Sequence, residues 1–440
     1  MYIWEDLTPA EQQLALARPA IAEQTSLSRD VAMILQRVRQ GGNAVLRYFN
    51  EKYDGVSTPS LRVESSQLQA AAELLTEQQK QAIDTAYSTI YAFHAAQKPE
   101  NIQVETTQGV QCELRYRPLE TVGFYIPGGS APLPSTVLML GVPAQIAGCL
   151  QKVLCTPPSQ GEQVIEPAIA YAALKCEINE VFLTGGAQAI AAMAYGTEEN
   201  GTVTIPKCQK IYGPGNRYVT EAKRQITNDP KGAQIDMPAG PSEVLVIGDE
   251  SANAAFIAAD LLSQAEHGPD SQVILLSDSQ ALIQEVKVEL SRQNQQLSRN
   301  EITSQALQHA RLILVKDMTE AVSLCNQYAP EHLIIQTQNA SEIADQITNA
   351  ASIFVGPWTP ESAGDYASGT NHVLPTYGYS NAYSSLSLID FYKRYTLQTL
   401  SESGLNALGA TIETLADLEG LDAHKNAVSI RLAASSMARR

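Results

Sequence analysis

Hydrophobic positions follow two different spacings along the 440 residues of the chain. In roughly the first 110 residues, apolar side chains recur every three or four positions with mostly polar residues between them, as at Val31, Ile34, Leu35 and Val38. This spacing is typical of amphipathic helices. We therefore expect this first part of the chain to be helical.

From about residue 119 onward, short apolar runs alternate with alanine-rich stretches. Continuous apolar runs of this length predict strands buried on both faces, and their alternation with helical stretches predicts β-α-β units around mainly parallel sheets. The predicted strands lie at 122–126, 152–155, 180–183, 210–212, 244–247, 273–276, 312–315, 333–335 and 353–355. Because these strands are too many for one small sheet, we expect two α/β domains.

The expected fold class is therefore α/β, with two Rossmann-like domains of mainly parallel strands, a helical N-terminal segment and an extended helical C-terminal tail. A stretch rich in proline and glycine, from Asp236 to Pro241, predicts the boundary between the two domains. The expected parts are an N-terminal extension at 1–22, a helical segment at 23–118 that joins the first α/β domain, the second α/β domain at 119–236, the first α/β domain at 237–380 and the helical tail at 381–440.

Composition and charge exclude several classes of function. The net charge of -17 repels phosphate backbones, and basic residues occur at most in pairs, so we expect no nucleic-acid partner. The six cysteines form no C-x-x-C pair, which argues against a thiolate zinc site or a redox dithiol. The N-terminus lacks the pattern of a signal peptide, and the longest apolar stretch is interrupted by Pro143. We therefore expect a cytoplasmic protein that does not enter a membrane.

Gln264 and His267 are the first candidates for chemistry. They lie three residues apart near the end of an apolar helix, which we expect Gly268 and Pro269 to terminate. An amide oxygen and an imidazole nitrogen on one helix face could bind zinc, although glutamine is an uncommon ligand. On spacing alone, helix capping explains the pair better.

Other candidates lie at turns and in loops. Glu331 and His332 stand where a helix ends and a strand begins, and they offer two proton acceptors of different basicity. Two hydrophilic residues at a turn would look the same. The loop at 359–376 carries Asp365 and His372 and is long for a loop without function. In the tail, Glu419 and His424 are more simply explained as surface residues.

Nucleotide binding has weaker support. No G-x-G-x-x-G fingerprint or Walker loop is present in the sequence. Three glycine-containing turns follow predicted strands, at 125–130, 185–188 and 212–216. They could offer backbone N–H groups to a pyrophosphate, but tight turns explain them equally well.

Taken together, these segments strongly resemble the histidinol dehydrogenase family. The resemblance covers nearly the whole chain, and its densest blocks lie at 123–132, 235–244, 261–270, 330–333 and 361–376. A stretch at 159–166 departs from the family in loop length, away from these motifs. Five such blocks in the same order outweigh the simpler explanations given above for each motif alone.

The resemblance implies a zinc-dependent oxidation of L-histidinol to L-histidine through bound L-histidinal, with two NAD as hydride acceptors. It implies one zinc ion per subunit, and metal ligands at Gln264, His267, Asp365 and His424. It places Glu331 and His332 as proton acceptors. It further implies NAD contacts in the second α/β domain, at Tyr125, Gln188 and Asn216. The substrate contacts that it implies are Ser242, His332, His372 and Glu419, together with the four metal ligands.

His424 and Glu419 lie in a tail beyond both α/β domains, so we expect the tail to fold over an active site, either its own or that of a neighbouring subunit. The resemblance implies the neighbour, and therefore an obligate homodimer with shared active sites. Two other classes remain as alternatives. A zinc hydrolase would use similar ligands and a glutamate-activated water but would not reduce NAD. A catalytically silent metal-binding protein would lack a ligand or a base, and none is missing.

Overall fold

A computed structural model describes residues 1–18, 25–128, 132–159, 164–238 and 240–438. Parts of three sequence features discussed above fall outside these ranges. They are residues 129–131 of the block at 123–132, which contains the first glycine-containing turn, residues 160–163 of the loop at 159–166, and residue 239 at the expected domain boundary. The expected N-terminal extension at 1–22 is described only as far as Arg18.

The strands of the described residues are, in chain order, β1 (Tyr2–Ile3), β2 (Ile102–Thr107), β3 (Val110–Pro118), β4 (Thr121–Tyr125), β5 (Gln151–Thr156), β6 (Glu180–Leu183), β7 (Thr197–Glu199), β8 (Thr202–Ile205), β9 (Lys210–Tyr212), β10 (Gln234–Ile235), β11 (Glu243–Gly248), β12 (Gln272–Ser277), β13 (Arg311–Leu314), β14 (His332–Gln336), β15 (Ser352–Val355) and β16 (Tyr392–Leu400). All nine strands predicted from the apolar runs are present, with ends shifted by at most one residue.

The α-helices are α1 (Pro9–Ala15), α2 (Thr25–Phe49), α3 (Ser65–Glu73), α4 (Glu77–Ala95), α5 (Pro134–Ala147), α6 (Pro167–Lys175), α7 (Gly186–Tyr195), α8 (Arg217–Thr227), α9 (Ala254–Ala265), α10 (Gln280–Asn294), α11 (Asn300–Ala306), α12 (Met318–Tyr328), α13 (Ala340–Ala344), α14 (Glu361–Tyr366), α15 (Glu402–Leu418) and α16 (Asp422–Ala438). None of the helices in the described ranges is both long and apolar enough to cross a bilayer.

Two compact units make up the chain. The first comprises residues 1–97 and 119–390 and contains two parallel sheets, confirming the expected α/β class. Its five-stranded sheet has the order β10-β9-β4-β5-β6, and its six-stranded sheet has the order β1-β13-β12-β11-β14-β15. The chain passes from one sheet to the other between β10 and β11, across the proline- and glycine-rich stretch at 236–241.

Helices cover both faces of the six-stranded sheet. Along β11, Val244 and Val246 belong to one hydrophobic cluster with α9 and α10, while Leu245 and Ile247 belong to another with α12 and α13. Because both faces of the strand are buried, its sequence is continuously apolar rather than alternating. The five-stranded sheet has its own core, to which α2, α7 and α8 contribute.

The second unit comprises residues 98–118 and 391–440. It contains the antiparallel sheet β16-β3-β2 and the helix pair α15 and α16. Helices α1 to α4 and this pair agree with the expected helical ends of the chain. However, β2, β3 and β16 lie within stretches that we expected to be helical. Their side chains are mostly exposed or half-buried, so they lack the continuous apolar runs that predicted the other strands.

Candidate active site

The candidate residues of the first unit gather at the amino edge of the six-stranded sheet. Glu243 is the first residue of β11 and His332 is the first residue of the adjacent β14, with Val244 paired to His332. Ligands of open α/β sheets usually bind at the carboxyl edge. Here the helices that follow β11 and β15 carry Gln264 and Asp365 to the opposite edge.

Glu331 and His332 are held by the backbone of Glu243. The carboxylate of Glu331 accepts the backbone N–H of Glu243 at 2.9 Å, and the backbone carbonyl of Glu243 lies 3.3 Å from His332 Nδ1. Glu331 Oε2 also lies 3.6 Å from His332 Nδ1. Both side chains are buried, with 6% and 5% of their residue surface exposed. One peptide strand therefore orients both candidate bases.

Helix α9 places Gln264 and His267. It ends at Ala265 with Glu266 as its C-cap, so the expected termination at Gly268 is wrong by two residues and His267 lies in the turn that follows the helix. Gln264 is fully buried, and its amide nitrogen lies 3.4 Å from Glu331 Oε2. Its oxygen, Oε1, is buried and has no hydrogen-bond partner among the described residues.

His267, Glu361 and Asp365 form a cluster that suits a cation. One possible ligand atom from each lies within 4.8 Å of the other two. Glu361 is fully buried, and neither of its carboxylate oxygens has a hydrogen-bond partner within the described ranges. Asp365 Oδ1 lies 3.8 Å from His332 Nε2, which connects the cluster to the candidate bases. Because a buried carboxylate without hydrogen bonds is costly, this arrangement fits a bound positive ion.

Glu361 was not a candidate in the sequence analysis, although it lies in the block at 361–376. It is four residues before Asp365 in α14, and this spacing places both carboxylates on one helix face. That spacing is the signal that could have identified it. Its complete burial, which makes the carboxylate chemically unusual, depends on the fold.

Burial and charge shift the pKa values within this cluster. Desolvation raises the pKa of Glu331, and it raises the pKa of Glu361 well above the ordinary range, although His332 opposes both shifts. Desolvation also disfavours the charged form of His332, but attraction by Glu361, Glu331 and Asp365 outweighs it and raises the pKa of His332 well above its usual value. In the absence of a cation, His332 and the carboxylates around it therefore stabilise each other's charged forms.

A cavity of about 770 Å³ opens beside these groups, and its lining includes Ser242, His267, Glu331, His372 and Asn216. Both ring nitrogens of His372 have partners, because Nδ1 lies 2.9 Å from the backbone carbonyl of Asp365 and Nε2 lies 3.3 Å from the Thr136 hydroxyl. The ring of His372 therefore supports the backbone that carries the Asp365 carboxylate.

A second cavity, of about 930 Å³, lies at the carboxyl edge of the five-stranded sheet and includes Tyr125, Gln188 and Asn216 in its lining. The hydroxyl of Tyr125 accepts the backbone N–H of Gly186 at 3.1 Å, at the start of α7. Gly186 has a φ of +63°, and a Cβ there would lie 2.8 Å from Gln188 Oε1. Asn216 caps α8 and lines both cavities, so the two meet at this residue.

Glu419 and His424 lie in the second unit, at the turn between α15 and α16, and both are exposed. Glu419 is the C-cap of α15, and His424 lies in the first turn of α16. The first unit thus contains three of the four expected metal ligands, with His267 and Asp365 in one cluster and Gln264 beside Glu331, and the fourth, His424, belongs to the other unit.

Comparison with known proteins gives one consistent result. A family model described as histidinol dehydrogenase matches residues 17–432. The chain is 56% identical to a histidinol dehydrogenase of Idiomarina loihiensis, over 97% of this chain and 96% of that protein, and 56% identical to one of Vibrio cholerae, over 98% and 97%. A crystal structure of histidinol dehydrogenase from Elizabethkingia anophelis has 46% sequence identity and a TM-score of 0.92, and covers 97% of both chains. The matched region includes every candidate residue described above.

Proposed function

Because the chain belongs to the histidinol dehydrogenase family and is an oxidoreductase of histidine biosynthesis, we propose that it oxidises L-histidinol to L-histidine in two NAD-linked steps at the amino edge of the six-stranded sheet. The observation that carries this assignment is the contact chain from Gln264 through Glu331 and His332 to Asp365. It joins two proton acceptors to residues suited to hold a cation.

The family implies a metal, and we assign it as one zinc ion per subunit held by Gln264, His267, Asp365 and His424. The buried Oε1 of Gln264 and the oxygens of Glu361, which lack partners among the described residues, support a cation here. Nitrogen and oxygen donors of this kind suit zinc. When bound, the ion would orient the amine and imidazole nitrogens of histidinol and stabilise charge that develops on the reacting oxygen.

In the first step, neutral His332 accepts the proton of the substrate hydroxyl. A cation in the cluster would offset the carboxylates that otherwise favour the protonated form of His332. If Nδ1 of His332 carries a hydrogen, it donates to the backbone carbonyl of Glu243, and Nε2 is then the basic nitrogen. Nε2 faces Asp365, on the side of the cation cluster. NAD accepts hydride in this step and again in the second, so the alcohol becomes an aldehyde and then an acid.

In the second step, Glu331 accepts a proton from the water that adds to the aldehyde. Glu331 lines the 770 Å³ cavity, which gives water access to its carboxylate. The backbone N–H of Glu243 and the amide of Gln264 both reach Oε2 of Glu331 and fix its orientation. Burial raises the pKa of Glu331, which makes its carboxylate a stronger base than an exposed glutamate.

We place NAD along the 930 Å³ cavity, against Tyr125, Gln188 and Asn216. The cavity meets the catalytic one at Asn216, which would bring the reactive end of NAD toward the substrate. Substrate contacts are assigned to Ser242, His332, His372 and Glu419, together with the four metal ligands. For His372, direct contact requires that its Nε2 exchange the Thr136 hydroxyl for a substrate group.

We further propose a homodimer in which Glu419 and His424 enter the active site of the neighbouring subunit. Leu415, Leu418, Ile430 and Met437 on α15 and α16 expose 55%, 79%, 56% and 76% of their surfaces. Four large exposed apolar side chains on one helix pair support this proposal, because a partner that covers them would remove apolar surface from water. We take this partner to be a second copy of the chain, because His424 could then serve as a metal ligand in the active site of that copy.

The test is to supply histidinol and NAD to metal-loaded protein and to count both NADH and histidine. Two NADH per histidine is the expected ratio, because the reaction removes four electrons. One NADH with accumulation of the aldehyde would contradict the role of Glu331. Turnover of an amide substrate without NADH would instead identify a hydrolase.

A further inference from the structure

Arg18 lies at the amino-terminal end of the first unit, far in sequence from every residue assigned above. Its guanidinium binds Glu243 with two contacts, Nε to Oε2 at 2.7 Å and Nη2 to Oε1 at 3.0 Å. The side chains are 15% and 2% exposed. A bidentate pair in a nearly enclosed place fixes the orientation of both partners.

The same guanidinium also holds the turn that leads into the catalytic pair. Nη2 of Arg18 donates to the backbone carbonyl of Tyr328 at 2.7 Å and lies 3.2 Å from that of Ala329. The guanidinium carbon is 3.9 Å from the centre of the Tyr328 ring. Ala329 has a φ of 53°, which is uncommon for a residue with a side chain. The contacts of Arg18 compensate for this unfavourable turn two residues before Glu331.

Glu243 connects Arg18 to both candidate bases. Besides Arg18, its carboxylate accepts the Tyr328 hydroxyl at 2.7 Å and the backbone N–H of Tyr377 at 2.9 Å. Its own backbone N–H and carbonyl are the groups that contact Glu331 and His332. A displacement of the Glu243 backbone would therefore move the hydrogen bonds of both bases together.

We propose that Arg18, acting through Glu243 and the Tyr328–Ala329 turn, is a positioning residue for the Glu331–His332 pair. This inference rests on the proposed function, because it assumes that the pair performs the proton transfers. Arg18 touches neither a proposed metal ligand nor the proposed NAD contacts in the described structure. Its loss should therefore lower kcat while the affinities for metal and substrate change little.

The experiment compares Arg18→Lys, Arg18→Met and Glu243→Gln in metal-loaded protein. The control is Leu290→Ala on α10, which should lower the stability of the protein without changing the active site. We expect kcat to fall about 10- to 100-fold in Arg18→Met, since small misplacements of catalytic groups have effects of this size. Arg18→Lys should lose less, because its ammonium still pairs with Glu243. The KM for histidinol and the metal dissociation constant should stay within about twofold of the wild type.

All rates are measured at temperatures where thermal melting shows each variant to be folded, and they are normalised to bound metal. A kcat within twofold of the wild type in both Arg18→Met and Glu243→Gln would overturn the inference. The inference would also be overturned if Leu290→Ala and Arg18→Met had equal melting temperatures and lost kcat equally. The loss in Arg18→Met would then follow from lower stability. If the wild type itself produces no NADH from histidinol, the proposed function fails, and the result is distinguishable from failure of the positioning role.

Discussion

The side-chain amide of Gln264 lies 3.4 Å from the carboxylate of Glu331, with nitrogen toward the acid and oxygen left without a partner among the described residues. One neutral side chain therefore connects a proposed base to a proposed metal ligand set. A glutamate at position 264 would bring a second negative charge to Glu331 instead. This contact gives a physical reason for the proposed use of an uncommon ligand type at this position.

Glu331→Gln should separate the two half-reactions. Glutamine can still accept the backbone N–H of Glu243 through its amide oxygen, but it cannot accept a proton from water. We expect oxidation of supplied histidinal to fall by about 10²- to 10⁴-fold, the usual contribution of a general base. Oxidation of histidinol to the aldehyde should fall much less. Single-turnover NADH formation from each substrate measures the two steps, and equal losses would contradict the division of labour between Glu331 and His332.

Glu361→Gln should change proton release when metal binds. Burial raises the pKa of Glu361 well above its ordinary value, which favours the protonated form in metal-free protein. A cation beside the carboxylate would expel that proton, and metal affinity should therefore fall as the pH is lowered. Calorimetric titration of metal-free protein in buffers of different ionisation enthalpy counts the protons released.

We expect the Glu361→Gln variant to release about one proton fewer and to bind zinc at least tenfold more weakly. The matched control is Glu266→Gln, a half-buried acid next to His267 that does not belong to the cation cluster. Unchanged proton release and affinity in Glu361→Gln would show that Glu361 does not face the ion.

Asp260→Asn should stabilise the metal-free protein at alkaline pH. Desolvation raises the pKa of Asp260 to about 7, against about 4 in an unfolded chain. The folded state therefore binds the proton more tightly, and stability falls as the pH rises from about 4 to 7 and stays lower above. Asparagine can still accept the Gln336 amide that contacts this side chain at 3.0 Å.

The expected gain is on the order of 2–4 kcal/mol at pH 8 and close to zero near pH 4, from about 1.4 kcal/mol per pKa unit. Denaturant unfolding at several pH values measures it. Asp270→Asn, at an exposed position, should change stability by less than about 0.5 kcal/mol at every pH. A constant difference between wild type and Asp260→Asn across the pH range would contradict the raised pKa.

The sequence predicted the parts of the fold that depend on local pattern. Strand β6 was predicted because Val181, Phe182 and Leu183 form an uninterrupted apolar run, and all three are buried. Strand β2 alternates apolar and polar residues and is mostly exposed, and it was missed. Motif spacing identified Gln264 and His267, and resemblance to a family raised them above helix capping. Arg18 and Glu243 are 225 residues apart, and Glu361 is distinguished by burial. A local sequence pattern predicts neither the contact between Arg18 and Glu243 nor the burial of Glu361.

Hybrid dimers should recover activity if His424 serves the neighbouring subunit. A chain with His267→Ala and a chain with His424→Ala, carrying different affinity tags, are coexpressed and the hybrid is purified. If sites are shared, one site of the hybrid holds both lesions and the other holds none, so activity should reach about half that of the wild type. A hybrid of His267→Ala with Asp365→Ala is the matched control, because both ligands lie in the first unit and each site would keep one lesion. Recovery in the first hybrid alone supports sharing, and an inactive first hybrid would place His424 in the site of its own chain.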